Sequence, residues 1–314
     1  MTMQALYSVL PILIALGLGF ITSKYLLPSY IVYRLVRLIS PFVWSLLFLI
    51  GVEFGEVVSS LEAMAYVLQT SLLIAVVTTL LPCLLLLGGA LFTRKVRTTQ
   101  PRKGVVVLDI RAAAAPLKEC AIALLMVASG VLLNTLRAQA ETSIGRVWLP
   151  SSHYLLMGLI FLVGLDFSSF KLGRSWISYS ALSVPIVVVA GSILGAYAVH
   201  FMTGEDIRLL LALSTGFGWF TLSSVMIGGL SGELYGAIAL LVDLGRELIS
   251  IVLLYLLGGI LPRVGIAAAG ATALDSTLPI VRQTCSNDML PVALLSGFIL
   301  TLLAPFFITF FLTA

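Results

Sequence analysis

Asp243, Arg246 and Glu247 lie in the run Ile238-Ala-Leu-Leu-Val-Asp243-Leu-Gly-Arg246-Glu247-Leu-Ile-Ser-Ile-Val-Leu-Leu, with no polar break to carry them to water. Charges are expensive at bilayer depth, and where they occur they mark substrate or ion paths. Spacings of three and four residues put the three side chains on one helical face. Asp243 and Glu247 are like charges one turn apart and repel, so something must intervene: Arg246, a proton, or a cationic ligand bound between them. A purely structural Asp-Arg-Glu cluster that glues helices together is the competing reading. Asp275 adds a further acid in Ala267-Ala-Ala-Gly-Ala-Thr-Ala-Leu-Asp275-Ser-Thr-Leu-Pro279, with no Lys or Arg close in sequence. Its partner must come from elsewhere in the fold or from a solute.

Two passages rich in Gly, Ser and Thr flank the charged run: Ser214-Thr-Gly216-Phe-Gly218-Trp219-Phe-Thr-Leu-Ser223-Ser224, and the stretch that holds Asp275. Interrupted helices present free ends; N-termini suit a carboxylate and C-terminal carbonyls suit a cation. With two or three acids, such a site fits a zwitterion that carries an extra positive charge. The hydroxyls of Thr215, Thr221, Ser223, Ser224, Ser276 and Thr277 can supply the remaining hydrogen bonds. Trp219 and Phe220 either pack on an alkyl stem, gate the cavity, or serve as plain core aromatics. Neither a metal nor a cofactor is expected. Cys83, Cys120 and Cys285 lie far apart in or beside apolar segments and read as buried small hydrophobes, and His153 and His200 are solitary.

The elements that must hold these groups are membrane helices. The chain is 60% hydrophobic and 10% charged, with a mean hydropathy of +1.13, whereas soluble domains carry about 25% charged residues. The net charge of +4 sits in short loops, a pattern that sets topology and does not suit nucleic acid. Apolar windows near the ~20 residues that span a bilayer occur at about 4–23, 37–55, 64–92, 117–136, 152–168, 177–202, 207–230, 233–261, 264–281 and 289–312. The first, lacking a basic n-region and a cleavage site, reads as a retained span. Loops after the first, third and fifth windows hold 12 basic residues (Lys24, Arg34 and Arg37; Arg94 to Lys118; Lys171 and Arg174), against 3 after the second, fourth and sixth. The positive-inside rule then puts the N-terminus outside.

Phe48-Leu-Ile-Gly-Val-Glu53-Phe54 matches Phe161-Leu-Val-Gly-Leu-Asp166-Phe167 at an offset of 113, which also aligns Gly17 with Gly130 and Thr22 with Thr135. Three helices followed by three related ones must be inverted, as in many secondary transporters; chance similarity of two apolar helices is the bland alternative. Glu53 and Asp166 read as solvated helix ends. Windows 207–230 and 264–281 are broken by Gly, Ser and Thr, and irregular backbone survives at membrane depth only beside protein or a water-filled cavity. Both are expected to be re-entrant, the first from outside and the second from inside; full crossing is the alternative. The fold expected is all-α and polytopic, with about eight spans, two re-entrant or interrupted segments and an inverted three-helix repeat. Its parts are 1–115, 116–204 and a site-bearing region 205–314.

Three runs together resemble a known family: Ser214-Thr-Gly-Phe-Gly-Trp219-Phe-Thr-Leu-Ser223, Asp243-Leu-Gly-Arg-Glu247-Leu-Ile and Gly270-Ala-Thr-Ala-Leu-Asp275-Ser-Thr-Leu-Pro279. Asn287-Asp-Met-Leu-Pro291 and Gly297-Phe-Ile-Leu extend the likeness. The chain resembles bacterial LysO-type lysine exporters, strongly over 205–314 and loosely before that. The resemblance implies export of L-lysine and analogues such as thialysine across the inner membrane, with Glu247 and Asp275 as the intramembrane acids that matter. One departure is Val242, where the family pattern has Asn.

No Walker motif is present, so proton antiport is the expected drive: Glu247 and Asp275 hold the ammonium group when ionised and release it when protonated. Expected partners are L-lysine, protons and membrane lipid, not nucleic acid; pairing of two copies stays open. A monovalent-cation/proton antiporter is the runner-up. An intramembrane aspartyl protease using Asp243 and Asp275 as a dyad is the reading from another class, opposed by the neighbouring Arg246 and Glu247.

Overall fold

The computed structural model describes residues 3–57, 61–92, 110–139, 152–167 and 179–313, and every regular element among them is helical. In order the α-helices are α1 (Met3–Ile21), α2 (Ser29–Val36), α3 (Ile39–Val57), α4 (Leu61–Phe92), α5 (Ile110–Gln139), α6 (Ser152–Phe167), α7 (Tyr179–Thr203), α8 (Ile207–Ser214), α9 (Phe220–Ser231), α10 (Glu233–Leu257), α11 (Pro262–Ala269), α12 (Leu278–Thr284) and α13 (Leu290–Thr313). Arg94, Lys95, Arg97, Arg102, Lys103, Arg146, Lys171 and Arg174, which carry much of the orientation argument, lie outside the described residues, as do the side chains of Glu53 and His153.

Among the described residues, four stretches are long and apolar enough to cross a membrane: Ser29–Val52, Met64–Gly89, Ala181–Thr203 and Asn287–Thr313. Large apolar side chains point outward from them, among them Leu72, Leu84, Ile186 and Phe201, the last 83% exposed. An outer surface this apolar suits hydrocarbon and not water. The chain is an all-helical membrane protein.

Small residues let the long helices touch backbone to backbone, the usual way helices associate in lipid. A Cβ on Gly191 of α7 would lie 2.6 Å from Pro82 of α4, and one on Gly195 would lie 3.1 Å from Thr78. These crosswise pairs make α4 and α7 antiparallel. Gly51 and Gly130 join α3 to α5 in the same way, and Gly19 and Gly164 join α1 to α6.

The expected loop between the first two windows is in part a helix. In α2, Val32 is buried against Leu162 and Leu165, while Tyr30, Tyr33 and Arg34, and Arg37 just past its end, face outward. Pro28 stands just ahead of its first turn, where a missing N–H does no harm. The basic residues had marked this stretch as a connection, yet its apolar face finds a partner on α6.

Both broken windows double back. The Tyr66 hydroxyl, early in α4, donates to Glu205 Oε1 in the turn before α8 at 2.8 Å, and Ser71 Oγ reaches the Ile238 carbonyl near the start of α10. The start of α8 and the end of α9 therefore share one end of the bundle. At the other end, Gly258 packs on Thr284, Tyr255 donates to Gln283 at 3.2 Å, and Gly265 packs on Leu254. There α11 begins and α12 ends. The two broken segments thus enter the bundle from opposite ends.

Candidate functional site

The tips of those two segments meet. After α8 the chain leaves the helix at Thr215, and Phe217 takes a left-handed conformation (φ 53°), uncommon for a bulky residue. Such a conformation costs about 1–3 kcal/mol and persists where surroundings over-determine it. Here they do: the Phe217 carbonyl accepts from Ala271 N–H of the opposite tip at 2.9 Å, and its ring packs edge-on against Phe307, centroids 6.3 Å apart. Gly270 (φ +62°) permits the approach, since a Cβ there would stand 2.5 Å from the Phe217 oxygen. At the second tip, Gly270–Leu274 forms a 3₁₀ turn that ends at Asp275.

The charged face of α10 addresses the first tip. Asp243 is 0% exposed, and its Oδ1 accepts from Gly218 N–H at 2.8 Å while Oδ2 accepts from Ser223 Oγ. Gly216 stands against the same carboxylate, where a Cβ would collide with it. An acid at the start of α9 complements the partial positive charge of a helix N-terminus. Arg246, 1% exposed, does the converse: Nη1 donates to the Ser214 carbonyl at the end of α8 (2.8 Å), and Nη2 to Ser192 Oγ (3.4 Å). Its guanidinium also lies 5.9 Å from the Phe217 ring centroid. One turn of α10 therefore supplies the anion for one half-helix and the cation for the other. A half-helix N-terminus that the sequence left open to a substrate carboxylate is occupied by Asp243.

Glu247 follows one turn below, 1% exposed. Asp275 is exposed at the second tip, with its own Oδ1 accepting from Ser276 N–H at 2.6 Å. Thr277 is buried with Oγ1 3.2 Å from Thr272 Oγ1, Ser224 is buried with Oγ 3.5 Å from the Thr221 carbonyl, and Ser276 and Trp219 are half-buried. Gly216, Gly218 and Ser223 thus gather on Asp243, whereas Ser276 and Thr277 stand with Asp275. Phe217, Ala271, Ser192 and Thr272 belong to the same arrangement. Their roles carry no sequence signal beyond the Gly-x-Gly spacing around Phe217. Cys83, Cys120 and Cys285 are buried, and His200 Nδ1 lies 2.6 Å from the Glu205 carbonyl, tying the end of α7 to the turn that follows.

Helical membrane proteins whose interrupted segments meet around buried charges form the class in which secondary transporters are found. The chain belongs to the lysine exporter LysO family, which its residues 124–312 match. It is 36% identical over 166 residues to the Lysine exporter LysO of Escherichia coli, a stretch covering 51% of this chain and 54% of that protein. To a Haemophilus influenzae protein described as a candidate lysine exporter it is 34% identical over 163 residues, 51% of this chain and 84% of the other. The chain thus matches about half the length of the E. coli relative. No solved structure matches it significantly.

Proposed function

We propose that this chain exports L-lysine, and analogues such as thialysine, across the bacterial inner membrane in exchange for protons. The observation that carries the reading is Glu247, a carboxylate buried on α10 one turn from Asp243, in a chain of the lysine exporter family. Lysine leaves as a cation against an inside-negative potential worth ~2.3 kcal/mol per elementary charge per 100 mV, so passive release serves poorly. Glu247 and Asp275 hold the ammonium group when ionised toward the cytoplasm and give it up outside when protons replace it. Asp243 and Arg246 serve the same site by holding the first break in shape. Alternatives lose ground on particular observations. A shared-proton aspartyl dyad needs like surroundings for Asp243 and Asp275, yet one is fully buried under Gly218 and Ser223 and the other is exposed.

The same reading takes α1, α3, α4, α5, α6, α7, α10 and α13 as spans, with α8–α9 and α11–α12 re-entrant from outside and inside and both termini outside. The shared ends of each broken segment favour it. An inverted repeat is favoured by the seams: adding 113 to Thr78 and Pro82 gives 191 and 195, the two glycines they touch, crosswise.

Flux of radiolabelled lysine in inside-out vesicles, with and without an imposed pH gradient, tests the proposal. The gradient should drive uptake, and Glu247→Gln or Asp275→Asn should abolish it while the protein remains in the membrane. Normal flux in either variant removes that residue from the mechanism. Flux driven by sodium and not by protons would favour the cation-antiporter reading.

A further inference from the structure

We infer that the site reads ammonium groups and offers no seat for a carboxylate, so that an aliphatic diamine of lysine's length is a substrate as lysine is; this rests on the transport reading above. Proteins bind a carboxylate with a basic side chain or with the N–H groups at a helix start. Among the described residues one basic side chain is buried, Arg246, and it is committed to the Ser214 carbonyl, Ser192 Oγ and the Phe217 ring. At the start of α9 the Gly218 N–H donates to Asp243, whose side chain stands where the carboxylate of a zwitterion would sit. The approach to α12 repeats the pattern. Ser276 N–H donates to Asp275 Oδ1, Thr277 N–H to the Thr272 carbonyl and Leu278 N–H to the Asp275 carbonyl.

Each break is thus furnished with an acid of the chain's own at the place that would recognise the acid of a substrate. Charge points the same way. Asp243, Glu247 and Asp275 against Arg246 leave a formal −2 when all four are ionised. Lysine brings +1 to that site, pentane-1,5-diamine brings +2, and norleucine, which keeps the carboxylate but lacks the side-chain ammonium, brings none. Like-signed or unmatched charge in a low-dielectric site is strongly disfavoured. Discrimination should therefore turn on the number of ammonium groups and be insensitive to the carboxylate.

The test uses the full chain in proteoliposomes under a pH gradient, with labelled lysine and labelled pentane-1,5-diamine followed in parallel and each unlabelled compound as competitor. The diamine should be transported and should half-inhibit lysine flux within about ten-fold of the concentration that unlabelled lysine needs, a difference of under about 1.4 kcal/mol. Norleucine at a hundred-fold excess should not compete. If lysine competes with itself while the diamine at a hundred-fold excess does not, the carboxylate is read and the inference falls. Diamine flux without lysine flux keeps this inference and overturns lysine as the cargo; flux of neither overturns both.

Discussion

Two acids one helical turn apart on α10 have different work. Asp243 accepts two hydrogen bonds at the start of α9, so its value lies in its oxygen atoms. An amide can still accept from Gly218 N–H, whereas Leu leaves that donor buried without an acceptor and the Ser223 hydroxyl with only its longer contact to the Phe220 carbonyl at 3.4 Å, about 1–3 kcal/mol for a buried group left unsatisfied. Thermal unfolding in detergent should therefore rank wild type, then Asp243→Asn, then Asp243→Leu, with lysine flux largely kept in the Asn variant. Equal loss in both variants would mean that the negative charge itself is what the site requires. Arg246→Met removes the donor to the Ser214 carbonyl and the buried cation whose charge offsets Asp243, a disruption of about 3–5 kcal/mol for a buried charge pair. Protein abundance in the membrane should fall sharply. Lysine at this position, which keeps a charge able to reach the same carbonyl, should restore most of it. At Glu247 the expectation is reversed: the isosteric Gln should fold and fail to transport.

Helices here are held by close backbone approach, and the glycines differ in what they tolerate. Gly191 sits on Pro82, while nothing stands within 4 Å of a Cβ at Gly88 in the same α4–α7 pair. Gly191→Leu should force the two helices apart and lower membrane abundance, and Gly88→Leu should not; equal behaviour would show that the seam does not depend on this contact. At the junction of the broken segments, Gly270→Ala combines a left-handed backbone with a Cβ placed against the Phe217 oxygen, so both terms oppose it. Transport should be lost, and loss of the Ala271 hydrogen bond should appear as faster amide exchange at that tip. Unchanged flux in Gly270→Ala would show that the tips need not touch.

For the whole molecule the testable statement is topology: both termini outside, eight spans, two segments that return to the face they came from. Alkaline phosphatase fused after Ala314 should be active and green fluorescent protein at the same place dark; the opposite pair of results means that one broken segment crosses. Much of this plan was open to a reader of the chain. Hydropathy alone makes it an all-helical membrane protein, because each apolar window must find hydrocarbon. The breaks at Gly216–Gly218 and near Gly270 follow from local backbone preference, and the stranded charges of Ile238–Leu254 stand out against their background. None of these judgements needs a distant residue. The division of labour among the charges does. Asp243 meets Gly218 and Ser223, Arg246 meets Ser214 and Ser192, and Phe217 meets Ala271 across intervals of 20 residues or more. Packing chose those partners from several that the spacing allowed. The helical state of α2 was hidden for the same reason, since its apolar face is explained by Leu162 and Leu165 and by nothing in its own eight residues.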